Sequence, residues 1–184
     1  MDIETKLLRG RSGQPMPSDA EVVDHLLSQH YSQIRRFALG VVGDGDSADD
    51  VAQQTVLQAV KKIEQYQPQT NMRAWLLRIA MNEARQVLRK RKSRDRVFGL
   101  WRRNEPMVSP KPEALTIEKE RDEKIWRCVS QLEEKHRLPI LLRYTEELST
   151  QEIAHVLGIP HGTVRSRLHY AHKQLQGLLS EVMA

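Results

Sequence analysis

Apolar residues recur at helical spacing along most of the chain, and the breaks in that spacing divide it into segments. Ser18 with Glu21 forms a capping box, and Val22, Leu26, Leu27, Ile34, Phe37, Ala38 and Val41 then predict a helix with one apolar face. Gly43 and Gly45 predict its end. In "DSADD" the chain restarts: Asp46 or Ser47 is expected as the cap, Asp49 and Asp50 sit in the electropositive first turn, and Val51, Ala52, Thr55, Ala59, Val60 and Ile63 face inward. After the polar loop 64–71, a third helix is predicted by Met72, Trp75, Leu76, Ile79, Ala80, Ala84, Val87 and Leu88. The three helices make a first domain over 18–93. Ahead of it, 1–17 carries Gly10, Gly13, Pro15 and Pro17 without periodicity and reads as a flexible tail.

From Lys92 the period fades, and 94–116, with three prolines, reads as a flexible linker in which Phe98, Leu100 and Trp101 are costly to leave in water. A second domain over 117–184 opens near Ile117, with Ile125, Trp126, Val129 and Leu132 on one face. In the next short helix Pro139 is expected within the first turn or so, where a missing N–H is tolerated. Ser149 and Glu152 form another capping box ahead of Ile153, Ala154, Val156 and Leu157. Gly158 supplies a left-handed stop, Ile159 an apolar plug and Pro160 a preset start for the last helix. That helix places Val164, Leu168, Ala171, Leu175 and Leu178 on one face, with Arg165, Ser166, His169, His172 and Lys173 opposite and Arg167 at the flank. The pattern is a helix-turn-helix in an all-α chain of two small helical domains.

Charge then narrows the partners. The net charge is +5 and the isoelectric point near 9.5, which favours a polyanion or an acidic surface. Cys128 stands alone, so no internal disulfide or cysteine-based zinc cluster can form, and it reads as a small core residue in a reducing cytoplasm. No apolar run approaches the roughly 18 residues of a membrane span, and the N-terminus lacks the apolar core of a signal peptide. A soluble cytoplasmic protein is expected. His155, His161, His169 and His172 lack carboxylates at ligand spacing, and "DGDSADD" lacks the glycine and glutamate of a calcium loop. Neither metal nor cofactor is expected, and an enzyme is not the expected class.

A groove-reading helix needs donors near its N-terminal end and cations beside them. Gly162, Thr163, Arg165, Ser166 and His169 suit the first task, and Arg167 and Lys173 the second. The competing reading is an ordinary solvated basic face, against which the tight Gly-Ile-Pro turn argues. On the third helix Arg78, Asn82, Arg85 and Arg89 form one stripe, and 85–103 holds nine Lys or Arg against the single Asp95. Tyr66, Asn71 and Trp75 offer stacking surfaces and amides for unpaired bases, although Trp75 also fits a core position. Asp49, Asp50, Gln53 and Gln54 form an acidic to neutral face suited to a basic protein surface.

Together these residues resemble the extracytoplasmic-function (ECF, group IV) sigma factors of the sigma-70 family. "DSADDVAQQTVLQAVKKI" and "AWLLRIAMNEARQVLRKRK" resemble region 2, and "LEEKHRLPILLRYTEELSTQEIAHVLGIPHGTVRSRLHYAHKQL" resembles region 4. The resemblance implies that the helix from Asp49 to Lys61, with Gln53 and Gln54, docks on the β′ clamp helices of core RNA polymerase. It implies that 66–75, Arg78, Asn82, Arg85 and Arg89 melt and hold the −10 element, and that the helix from His161 reads the −35 element while other surfaces meet the β flap. His161 and Arg165 then bear on promoter choice, in a stress or envelope-response regulon. An anti-sigma factor is a further partner that the resemblance allows. Gln54 and Gln86 depart from the acidic residues of many relatives, which bears on polymerase docking and on how Arg89 is oriented. A regulator with a LuxR-like helix-turn-helix is the alternative, and it would need a sensor domain that the basic helical first domain does not offer.

Overall fold

The computed structural model describes residues 18–67, 71–98, 124, 125 and 127–183. The expected tail, Leu100 and Trp101 with the rest of the linker beyond 98, Ile117 and Trp126 lie outside them. Every regular element among the described residues is a helix, and the chain divides into two compact units, Met1–Trp101 and Arg102–Ala184.

In the first unit, α1 spans Asp19–Val42, α2 Gly45–Lys61 and α3 Met72–Phe98, with a 3-10 turn at Ile63–Gln65. The capping box forms as the sequence predicts: Glu21 N–H donates to Ser18 Oγ at 3.3 Å, and Ser18 N–H donates to Glu21 Oε2 at 2.9 Å. At the other end Gly43 adopts φ 86°, a left-handed conformation that glycine enters without a Cβ penalty. Only this glycine stops α1. Gly45 is already the first residue of α2, and its cap is Asp44 rather than Asp46 or Ser47, because Asp44 Oδ1 accepts the Ser47 N–H at 2.9 Å.

The core of this unit joins Val22, Leu26, Ile34, Phe37 and Ala38 of α1 to Val51, Ala52, Val56 and Ala59 of α2 and Leu76, Leu77, Ala80, Met81 and Ala84 of α3. Burying a side chain such as Leu26 contributes about 1.5–3 kcal/mol. Several expected core positions behave differently: Leu27 is 45% exposed, and Val60, Trp75, Val87 and Leu88 are half-buried. In α3 the buried stripe is broader than the predicted face, since Leu77 and Met81 are both inside. That helix also runs on to Phe98, past Lys92 where its apolar period fades.

In the second unit, 127–131 is helical, followed by α4 at Glu134–Tyr144, α5 at Thr150–Leu157 and α6 at His161–Met183. Cys128, Val129 and Leu132 are buried with Leu138, Ile140, Leu142, Leu148, Ile153, Val156, Leu157, Val164, Leu168 and Ala171. Because α4 starts at Glu134, Pro139 lies early in the second turn, just past the first, where it removes one helical hydrogen bond. Its ring is buried, and apolar burial offsets that loss. The α5 capping box forms, with Glu152 N–H on Ser149 Oγ at 3.2 Å and Ser149 N–H on Glu152 Oε2 at 2.8 Å. Gly158 takes φ 66°, and its N–H closes on Ala154 O at 3.0 Å. Pro160 sits one residue before α6 rather than inside it, its carbonyl accepting from Thr163 and Val164 N–H at 2.9 and 3.2 Å.

Candidate nucleic-acid and protein-docking surfaces

The turn between α5 and α6 decides what α6 can present. Because Val164, Leu168 and Ala171 are buried, the opposite arc of the same helix is forced outward. His161, Gly162, Arg165, Ser166, His169, His172 and Lys173 are all exposed, while Thr163 and Arg167 are half-buried at the flanks. Several of these side chains already have partners. His161 Nε2 lies 2.8 Å from Thr150 Oγ1, which ties the start of α6 to the first residue of α5. Ser166 donates to Thr163 O at 3.0 Å, leaving its oxygen lone pairs available to accept.

Two side chains of α4 brace the middle of α6. His136 stacks on Tyr170, with ring centroids 6.2 Å apart, and its Nδ1 lies 3.2 Å from Gln174 Oε1. Tyr144 lies edge-on to His172, its hydroxyl 2.8 Å from Nε2. Tyr170 is 59% exposed and also meets His169 edge-on. A large ring therefore stands beside the cationic arc, a feature the sequence reading missed because Tyr170 falls between the apolar and the basic face.

In the first unit α3 is launched by Asn71, whose Oδ1 accepts the Arg73 N–H at 3.0 Å and whose carbonyl accepts the Trp75 N–H at 3.0 Å. Arg78, Asn82 and Arg89 are exposed and Arg85 is half-buried, so the expected stripe lies along the outside of the bundle. Tyr66 requires a correction. Its side chain is only 3% exposed and packs on half-buried Trp75 at 5.3 Å between ring centroids, so in this conformation the pair builds core rather than an open stacking platform.

On α2 the expected docking face is also rearranged. Asp50, Gln53 and Gln54 are exposed, and Leu57, 50% exposed, joins them one turn further on. Leu57 escaped the sequence reading because it sits just off the apolar stripe, so its leucine identity was its one signal. Asp49 instead faces the α1–α2 seam. Arg35 donates to it through Nε at 2.6 Å and Nη2 at 3.2 Å, and the Tyr31 hydroxyl lies 3.4 Å from Oδ1. The Arg35 hydrogen bonds and charge hold the Asp49 carboxyl below the usual carboxylate range and raise the guanidinium in turn.

Arg91 belongs to the basic run by sequence, but its side chain turns toward the α1–α2 turn. Its Nη1 donates to Val42 O at 2.8 Å, and its Nη2 reaches both the Asp44 carboxylate and the Ser47 hydroxyl. Partial burial alone raises the Asp44 carboxyl, but the Ser47 N–H and the Arg91 guanidinium outweigh it and hold the group below its ordinary range.

Among the described residues no group of three or more His, Cys, Asp or Glu could hold a metal ion, and no helix is long and apolar enough to cross a membrane.

Comparison with known proteins agrees with these two units. Residues 26–94 match the model of sigma-70 region 2, and residues 122–175 match that of sigma-70 region 4. The ECF RNA polymerase sigma factor SigL of Mycobacterium tuberculosis is 33% identical over 166 residues, covering 90% of this chain and 93% of its own. The ECF RNA polymerase sigma factor SigE of Mycolicibacterium smegmatis is 31% identical over 160 residues, or 86% of this chain; the chain spans 62% of that relative's length. Among solved structures, the sigma factor RpoE from Bartonella quintana, in complex with the anti-sigma factor NepR, superposes with a TM-score of 0.71 at 25% identity, over 85% of this chain and 96% of that one. Two family models in chain order and a relative matched over nearly its whole length place this chain in the family of ECF RNA polymerase sigma factors.

Proposed function

We propose that this protein, as a group IV sigma factor, binds core RNA polymerase, selects promoters through their −35 and −10 elements and opens the duplex for transcription initiation. The observation that carries the reading is the outward arc of α6, where Arg165, Ser166, His169 and Lys173 stand opposite a face buried at Val164, Leu168 and Ala171. A rigid helix of that kind fits a major groove, and its N-terminal residues His161, Gly162 and Thr163 meet the −35 bases first, with Arg167 and Lys173 on phosphates.

The α3 stripe takes the non-template strand of the −10 element. Arg78, Asn82, Arg85 and Arg89 follow one side of the helix, and Asn71 and Trp75 lie at its start. Extruding a base costs a few kcal/mol, so phosphate contacts along the stripe must accompany any stacking at Trp75. Tyr66 takes part only if its ring leaves the core. Polymerase docking falls to Asp50, Gln53, Gln54 and Leu57 of α2, a polar face around one apolar anchor suited to the β′ clamp helices, with Asp49 at its edge. Other surfaces of the second unit meet the β flap.

An anti-sigma factor is a further partner by analogy with the RpoE complex, and a stress or envelope-response regulon follows from the same family reading. Purified protein mixed with core RNA polymerase should give a one-to-one complex that directs runoff transcription from a promoter mapped by sequencing the transcripts its overproduction raises. Loss of core binding in a folded preparation would overturn the proposal, even if duplex binding survived.

A further inference from the structure

The helix that carries the −10 stripe has an unusual hold on its own bundle. Over 72–94 its last buried residue is Ala84, and Val87 and Leu88 are already half-buried. Beyond them, within 89–94, Arg89, Lys90, Lys92, Ser93 and Arg94 are exposed and Arg91 alone is not. Arg91 is set about 200° around the helix from Arg89, so the two guanidinium groups point to opposite sides. Arg89 faces outward, and Arg91 reaches back across the bundle to the α1–α2 turn.

There it joins three elements at one point. Val42 O is a carbonyl at the end of α1, where no further turn exists to satisfy it. Asp44 is the cap of α2, using Oδ1 for the Ser47 N–H and Oδ2 for Arg91. Ser47, in the first turn of α2, receives Arg91 through its hydroxyl. A planar guanidinium can serve several acceptors in fixed directions, which a lysine ammonium on a flexible stem cannot do equally well. The apolar core thus holds α3 as far as Leu88, and over 89–94 the Arg91 clamp holds the next turn.

We infer that Arg91 is a positioning residue for promoter opening: by clamping α3 to the α1–α2 turn, it fixes the Arg89 end of the −10 stripe relative to the polymerase-docking helix α2. This inference rests on the proposed function and deepens it. Core binding uses α2, and strand capture uses α3. A fixed angle between them lets polymerase docking deliver the stripe to the strand already aligned. Without the clamp, the end of α3 samples many orientations while α2 still docks.

The test compares full-length protein carrying Arg91→Ala, Arg91→Lys, Asp44→Asn or Arg91→Ala with Ser47→Ala, each assembled with core polymerase on the mapped promoter. Asparagine preserves the helix cap at position 44 while weakening the ion pair, so Asp44→Asn carries the test if Arg91→Ala fails to fold. Circular dichroism melts set an assay temperature at which every variant used is folded. Core affinity and binding to −35 duplex should stay at the wild-type level. Permanganate reactivity of −10 thymines should fall roughly tenfold in Arg91→Ala, the loss expected of one charge-assisted network. Arg91→Lys should be intermediate, Asp44→Asn should share the defect, and adding Ser47→Ala to Arg91→Ala should make it no worse.

A normal Asp44→Asn beside a defective Arg91→Ala would overturn the inference, since Arg91 would then be touching DNA directly. Core affinity falling in step with opening would overturn it as well, as would unchanged opening in all variants. Wild-type protein that neither binds core nor opens DNA would instead defeat the proposed function.

Discussion

At Glu147 the backbone takes φ 52°, which makes it the one non-glycine residue in the left-handed region among the described residues. The residue links α4 to α5 and is exposed, whereas its neighbour Glu146 is buried at 1% exposure with Thr145 Oγ1 3.3 Å from its carboxylate. Left-handed geometry costs a residue with a Cβ about 1–2 kcal/mol, part of which glycine returns through its freer unfolded chain. Glu147→Gly should therefore raise stability by about 0.5–1 kcal/mol, while Glu147→Ala should give no gain. Thermal melts of the two variants check this, and an equal response to both would rule out backbone strain as the cause. The sequence alone did not mark the position, because a glutamate carries no signal of positive φ. Tyr66 and Asp49 misled the reading in a related way: both are residue types that bind ligands, and each had an internal partner that only the fold supplied.

At the scale of elements, the capping boxes and glycine stops followed from local chemistry, and pairing between helices did not. Both capping boxes and both glycine stops stand where the sequence placed them, since a cap joins residues three apart and glycine's freedom is its own. The α1–α2 seam is different. Its carboxylates, Asp49 on Arg35 and Asp44 on Arg91, are both held below their ordinary pKa. A depressed carboxylate contributes stability that is fully present above its unfolded value, 3.8, and is lost as pH falls through the lower folded value. Asp49→Asn should accordingly melt below wild type at neutral pH, with the gap closing as the solution is taken below pH 3.8. Melting curves at neutral and acid pH check the sign. A gap that stays constant or widens in acid would mean that the Arg35 pairing is not its source.

Over the whole molecule, two cationic surfaces sit on separate units, and proposing different DNA elements for them gives them different signatures. Arg165 offers donors to base edges, so Arg165→Ala should relax or abolish −35 selection, at about 1–3 kcal/mol of discrimination, while core binding persists. Equal loss of both activities would show that α6 has been assigned the wrong task. Arg89 and Lys90 are exposed cations on α3, clear of the Arg91 clamp. Replacing both with alanine should weaken all promoters alike and lower the slope of log affinity against log salt by roughly 1.4, taking about 0.7 per single-strand phosphate contact. Titration of holoenzyme on two unrelated promoters across salt concentrations measures it. An unchanged slope would return these residues to the role of a solvated helix end.

The sequence by itself determined the all-helical class, the two capping boxes, the helix-turn-helix and the family, because each is written in residues close along the chain or in a period that one helix imposes on itself. Periodicity also assigned the outward arc of α6 and the stripe on α3. Only the tertiary structure decided which polar residues are already engaged within the bundle. Arg35 meets Asp49 across 14 positions and Arg91 meets Asp44 across 47. Helical spacing names the side of a helix a residue occupies, but a guanidinium suits a phosphate and a carboxylate equally well. The choice between them belongs to whatever the neighbouring helices bring within reach.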